Sequence, residues 1–167
     1  MGAGKTSVGQ ALATSLAWRF VDLDDRIVAS AGRSVAEIFQ HDGEARFRQL
    51  EREALQSLLA ELEATKTIVS LGGGAWMQAE NAAILRQSSQ PVIFLDAPVE
   101  ALWQRCLPQS GIRPLLQNEG EFRKLYQARR PSYEAGTRRV ETHNLPVEEV
   151  AQQIALLLGL AKTNAST

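Results

Sequence analysis

The sequence predicts an α/β fold of three layers, a parallel sheet with helices on both faces. Three observations carry that expectation. Short apolar runs at 20–23, 67–71, 92–95 and 138–142 alternate with segments of helical periodicity. The chain opens on Gly2-Ala3-Gly4-Lys5-Thr6, the ending of a glycine loop that leads into a helix. A third apolar-to-glycine transition, Ser70-Leu71-Gly72-Gly73-Gly74, closes the second strand.

Taken in order, residues 5–17 read as a helix with Val8, Leu12 and Leu16 on one face. Phe20 to Asp24 reads as a strand with Asp22 and Asp24 at its C-terminal end, the end where open α/β sheets bind ligands. Alternating acids there also suit an ordinary solvated strand end. Residues 25–31 form a short helix stopped by Gly32, and Ser34 and Glu37 make a capping box for the next one. Asp42-Gly43 breaks that helix. A long helix follows from Glu44 to Ala64, with Phe47, Leu50, Ala54, Leu58 and Leu62 on its apolar stripe. Its interleaved arginines and glutamates read mostly as surface ion pairs, with Arg48 set apart.

Further helices are expected at 78–87, at 99–107 with Leu102, Trp103 and Cys106 inward, at 121–130, and at 147–160 with Val150, Ile154 and Leu157/Leu158 inward. Pro131 should end the 121–130 helix. The proline- and glycine-broken stretch 108–120 reads as a flap, and 162–167 as a frayed, disordered tail. The expectation is one domain over 1–161 with a lid at about 108–120. Four strands are found where a P-loop kinase core has five. The fifth would be the central one that feeds the loop, and the first glycine of the full pattern would lie before Met1. The expected sheet therefore holds a gap or closes around it.

Composition narrows the function. The chain has 167 residues, 44% hydrophobic and 22% charged, and a formal net charge of −1. That balance gives no global case for nucleic-acid or membrane binding. No apolar run reaches the roughly 18–20 residues of a membrane span. Cys106 is the only cysteine, which fits a reducing compartment, and with His41 and His143 it makes poor material for zinc.

The chemistry-bearing residues fit one scheme. In the loop Gly2-Ala3-Gly4-Lys5-Thr6 successive backbone N–H groups can point at phosphate oxygens, Lys5 can reach the β/γ-phosphates, and the Thr6 hydroxyl can ligate Mg²⁺. The same five residues also suit a turn before an N-capped helix. Gly72-Gly73-Gly74 is either a tight strand-to-helix turn or bare backbone against a ligand. Phosphoryl transfer needs cations for the transferring oxygens and a carboxylate to orient or deprotonate the acceptor hydroxyl. Arginines beyond that need suggest an acceptor with its own carboxylate.

Five motifs together resemble the shikimate kinase family: GAGKT (2–6), DLD (22–24), SVAEIFQHDGEARFRQLE (34–51), SLGGG (70–74), and RPLL (113–116) with RRPSY (129–133). The resemblance runs from Gly2 to about Thr142. It implies a P-loop kinase fold, lacking the first, central strand. It implies ATP and Mg²⁺ as the phosphoryl donor and its ion, and transfer to the 3-hydroxyl of shikimate. Gly2, Ala3, Gly4, Lys5, Thr6 and Ser7 would hold ATP, and Thr6 and Asp22 the metal. Asp24 would be the base or orienter, acting with Lys5 and Arg113. Arg48 and Arg129 would clamp the shikimate carboxylate, beside Gly72, Gly73 and Gly74. Arg113 would fold over the phosphates and Arg105 would stack on adenine. The implied protein is a cytoplasmic monomer that binds small molecules, with no nucleic-acid or membrane partner. Two alternatives are a gluconate-type kinase and a truncated, non-catalytic shikimate-binding protein.

Overall fold

The computed structural model describes residues 2–62, 64–107 and 118–160. Its order is α1 (Lys5–Leu16), β1 (Arg19–Asp22), α2 (Leu23–Ala31), α3 (Val35–Leu62), β2 (Thr67–Ser70), a short 3-10 helix (Ala75–Met77), α4 (Ala79–Gln87), β3 (Ile93–Asp96), α5 (Val99–Cys106), α6 (Glu119–Gly136), β4 (Arg138–Glu141) and α7 (Val147–Leu157). All four expected strands are present. Residues 108–117 of the stretch expected to form a lid, Arg113 among them, and the tail 162–167 lie outside the described residues.

The strands pair in parallel, β1 with β2 and β3 with β4, and the two pairs do not bond to each other. This is the gap that the strand count predicted. A cavity of about 100 Å³ lies in it, lined on one side by Leu71 and on the other by Val92, Ile93 and Leu95, with Ala3 and Lys5 at its rim. Parallel strands are ordinarily buried on both faces. Here Val21, Ile68, Val69, Ile93 and Phe94 are only half-buried, because an edge of each pair lacks a strand neighbour.

Strand alternation sorts the core into two layers. Ile68, Ile93, Leu95 and Val140 join α1, α5, α6 and α7, around Val8, Leu12, Leu102, Phe122, Val150 and Ile154. Val21, Val69, Leu71 and Val92 join α2, α3 and α4, around Ile27, Ile38, Phe47, Leu55, Leu58 and Leu85. The three-layer arrangement is as expected.

Local signals held at several boundaries. Ser34 and Glu37 form the reciprocal box: the Ser34 N–H donates to Glu37 Oε2 at 2.8 Å, and the Glu37 N–H donates to Ser34 Oγ at 3.2 Å. Gly43, at φ 78° and ψ 173°, breaks α3 into two helical arms where Asp42-Gly43 was expected to.

Others need correction. The first strand stops at Asp22, not Asp24. The Asp22 carboxylate accepts the Asp24 N–H at 3.0 Å and so caps α2, placing Asp24 in a helical first turn. The sixth helix begins at Glu119, inside the stretch read as a flap, with Asn118 Oδ1 accepting the Glu121 N–H at 2.9 Å. It also runs through Pro131 to Gly136. Proline removes one ladder bond; past it the Ser132 carbonyl accepts from Trp76 Nε1 at 2.9 Å and the Tyr133 carbonyl from the Thr137 hydroxyl at 2.6 Å. Leu157, expected inward, is 44% exposed, while Val150 and Ile154 point into the core.

Candidate active site

The phosphate loop takes the shape that its glycines permit. Gly2 and Gly4 have φ of 66° and 79°, values that disfavour any side chain. Gly4 caps α1, so Lys5, Thr6 and Ser7 form its first turn, where backbone N–H groups have no intrahelical acceptor. Such a terminus attracts phosphate through both its amides and its dipole. The Thr6 hydroxyl donates to Asp22 Oδ2 at 3.1 Å, so the two expected metal residues are neighbours.

The strand register positions the acceptor side. β1 and β2 pair Asp22 with Ser70, and just past that pairing the side chain of Asp24, in the first turn of α2, reaches Gly72. A Cβ at Gly72 would lie 2.6 Å from Asp24 Oδ1. A Cβ at Gly74 would lie 2.8 Å from Arg48 Nη1. Between them, the Gly73 carbonyl accepts from Arg129 Nη1 at 3.1 Å and from the Tyr133 hydroxyl at 2.5 Å. Three consecutive glycines thus meet a carboxylate from α2, a guanidinium from α3 and a guanidinium from α6. The turn leads from β2 into the 3-10 helix, and side chains of this chain, Asp24, Arg48 and Arg129, lie against its bare backbone. Lys5 borders the same cavity as Gly72 and Gly73.

Arg48 is held by two carboxylates. Glu44 accepts its Nη2 at 3.0 Å, and Glu51 accepts its Nη1 at 3.1 and 3.2 Å. Glu51 is only 1% exposed. Burial pushes its carboxyl above the usual range and the nearby Asp24 adds to this, while Arg48 and Asn81 pull the other way. Burial likewise raises the Tyr133 hydroxyl. Neither Glu51 nor Tyr133 was singled out from the sequence. Glu51 stands at i+4 from Phe47 and i−4 from Leu55, a carboxylate in an apolar stripe, and Tyr133 stands at i+4 from Arg129. Those spacings are the signals that could have found them.

Arg105 donates to the Thr142 carbonyl at 3.4 Å, which holds it beside the residues that follow β4. Among the described residues no cluster of three or more His, Cys, Asp or Glu side chains could hold a metal. The oxygen pair Thr6–Asp22 suits a hard ion that keeps much of its water. No helix among the described residues is long and apolar enough to cross a membrane.

The chain is similar to known proteins over most of its length. The family model for shikimate kinase matches residues 1–158. The shikimate kinase of Thermus thermophilus is 38% identical over 157 residues, covering 92% of this chain and 83% of its own. That of Streptomyces coelicolor is 42% identical over 155 residues, covering 91% and 87%. The solved shikimate kinase from Acinetobacter baumannii in complex with shikimate superposes with a TM-score of 0.85 at 36% identity, covering 95% of this chain and 89% of that one. A gluconokinase from Sinorhizobium meliloti reaches a TM-score of 0.56 at 19% identity, a likeness of fold alone. With its phosphate loop, glycine turn and two arginines in place, the chain belongs to the shikimate kinase family.

Proposed function

We propose that the chain transfers the γ-phosphoryl group of ATP to the 3-hydroxyl of shikimate, giving 3-phosphoshikimate and ADP on the route to chorismate and the aromatic amino acids. It works as a cytoplasmic monomer with Mg²⁺. The observation that carries this reading is the meeting of Asp24, Arg48 and Arg129 on the Gly72–Gly74 turn. Arg48 and Arg129 bind the acceptor carboxylate through charge-assisted hydrogen bonds, which fixes the ring. The bare turn lets the ring lie against backbone. Asp24 accepts the hydrogen bond of the attacking hydroxyl and takes its proton as the new O–P bond forms. The bond from the γ-phosphorus to the ADP oxygen breaks in the same displacement. Lys5 and the α1 N–H groups stabilise the charge on the phosphate oxygens. Thr6 and Asp22 are the residues that would hold Mg²⁺, which would supply positive charge to the phosphates. Arg105 stacks on adenine, and Arg113, outside the described residues, is a further cation for the phosphates.

The gap beside the phosphate loop favours a second reading, a protein that binds shikimate but holds ATP weakly. A coupled ADP-release assay decides first. Shikimate should support turnover and gluconate should not, and Lys5→Ala should lower kcat by about 10²–10³-fold with an unchanged far-UV spectrum. Equal rates with both acceptors, or wild-type turnover in Lys5→Ala, would refute the assignment. Separate titrations with ATP and with shikimate expose the second reading as tight acceptor binding with little nucleotide binding.

A further inference from the structure

The helix that carries Arg129 is tied down at a second point that the reaction itself does not require. Asp96, at the end of β3, is 2% exposed. Its carboxylate accepts both arms of the Arg130 guanidinium, Nη1 at 2.8 Å and Nη2 at 2.7 Å, and also Arg139 Nε from β4 at 2.8 Å. Tyr126 completes the group, with its hydroxyl 3.3 Å from the Ala97 carbonyl and bonded to Arg130. Spacing on the helix explains the design. Tyr126 and Arg130 are i, i+4 and face Asp96; Arg129 and Tyr133 are i, i+4 and face Gly73. The two rows are one residue apart at Arg129-Arg130, so whatever fixes one row fixes the angle of the other.

A buried ion pair is a weak device for stability alone, since desolvation offsets most of the attraction. Its geometry is what the fold gains. Pro131 follows at once and removes a ladder hydrogen bond, so the angle of this helical turn depends on side-chain anchors. We propose that Asp96 is a positioning residue for the acceptor: through Arg130 it sets the turn of α6 that presents Arg129 to the substrate carboxylate. This rests on the reading of Arg129 as a carboxylate clamp.

The test varies both substrates in steady-state kinetics for Arg130→Ala, Asp96→Asn, Arg139→Ala and Arg129→Ala. Arg130→Ala and Asp96→Asn should each raise KM for shikimate about tenfold, the loss of roughly one well-aligned charged hydrogen bond, with KM for ATP and kcat nearly unchanged. Arg139→Ala removes a partner of the same carboxylate without touching α6 and should leave KM for shikimate as it was. Arg130→Lys, which keeps the charge but not the two-pronged geometry, should recover part of the loss. If Asp96→Asn does not fold, Arg130→Ala decides alone, because Asp96 keeps Arg139. Unchanged KM for shikimate in Arg130→Ala, or equal rises for both substrates, would overturn the proposal. Arg129→Ala separates the two failures: no effect there sinks the clamp itself, whereas a large effect there with none in Arg130→Ala sinks only the positioning role.

Discussion

Gly72 and Gly74 each leave out a methyl group that would displace a neighbouring side chain. A Cβ at Gly72 would meet the Asp24 carboxylate at 2.6 Å, so Gly72→Ala must swing that carboxylate aside. Misplacing a reacting group by about 1 Å costs on the order of 10²-fold. Gly72→Ala should therefore lower kcat by about 10- to 100-fold while the protein stays folded; unchanged kcat would remove Asp24 from the reaction. Glu51 gives a second test at this scale. Its folded carboxyl titrates above the ordinary value of 4.5 because burial favours the neutral form. Between those two values the folded chain holds a proton that the unfolded chain has released. Stability from this group is thus present below the ordinary value and falls as pH rises through the raised one. In urea titrations from pH 5 to 8, wild type should lose ground to Glu51→Gln as pH rises; a constant or opposite difference would contradict the assignment. The cost of breaking the Arg48 contact, of order 3–5 kcal/mol for a buried pair, adds an offset but no slope of this sign.

Among the elements, the strand pairs and α6 carry most of the consequence. The first turn of α2 delivers Asp24 to Gly72, and α6 delivers Arg129 and Tyr133 to Gly73. The facing edges of β2 and β3 have no strand neighbour among the described residues. In a parallel ladder alternate residues bond to opposite sides. Backbone amides of 67–70 should therefore split by hydrogen exchange into a slow set bonded to β1 and a fast set facing the cavity. Uniform protection along β2 would mean that the slot is closed in solution. Elements set by local chemistry were legible in the sequence: the Ser34–Glu37 box, the Gly43 break, and the gap itself, which followed from counting strands against the glycine loop. Elements set by distant contacts were not. Pro131 reads as a stop because the ring removes a ladder bond, yet Trp76, remote in sequence, holds the carbonyl of Ser132 and the helix continues. Asp24 reads as a strand residue until the Asp22 side chain turns the chain into α2.

The molecule as a whole brings groups from α1, α2, α3 and α6 to one end of a divided sheet. Most of the candidate site was legible because each chemical role demands a residue type: glycine for close approach, lysine and arginine for phosphate and carboxylate, aspartate for a hydroxyl. What holds those groups in place was not, because Glu51 and Asp96 act through burial, which a linear pattern does not display. The central claim is that two guanidiniums on this turn recognise an acceptor carboxylate. Its most direct test compares kcat/KM for shikimate with that for the analogue whose carboxylate is reduced to a hydroxymethyl group, in wild type and in the Arg48→Ala/Arg129→Ala double variant. Two charged hydrogen-bond partners at about 1.5–3 kcal/mol each predict a wild-type preference for shikimate of at least about 10²-fold, collapsing to within a few-fold in the double variant. A double variant that discriminates as well as wild type would contradict the account.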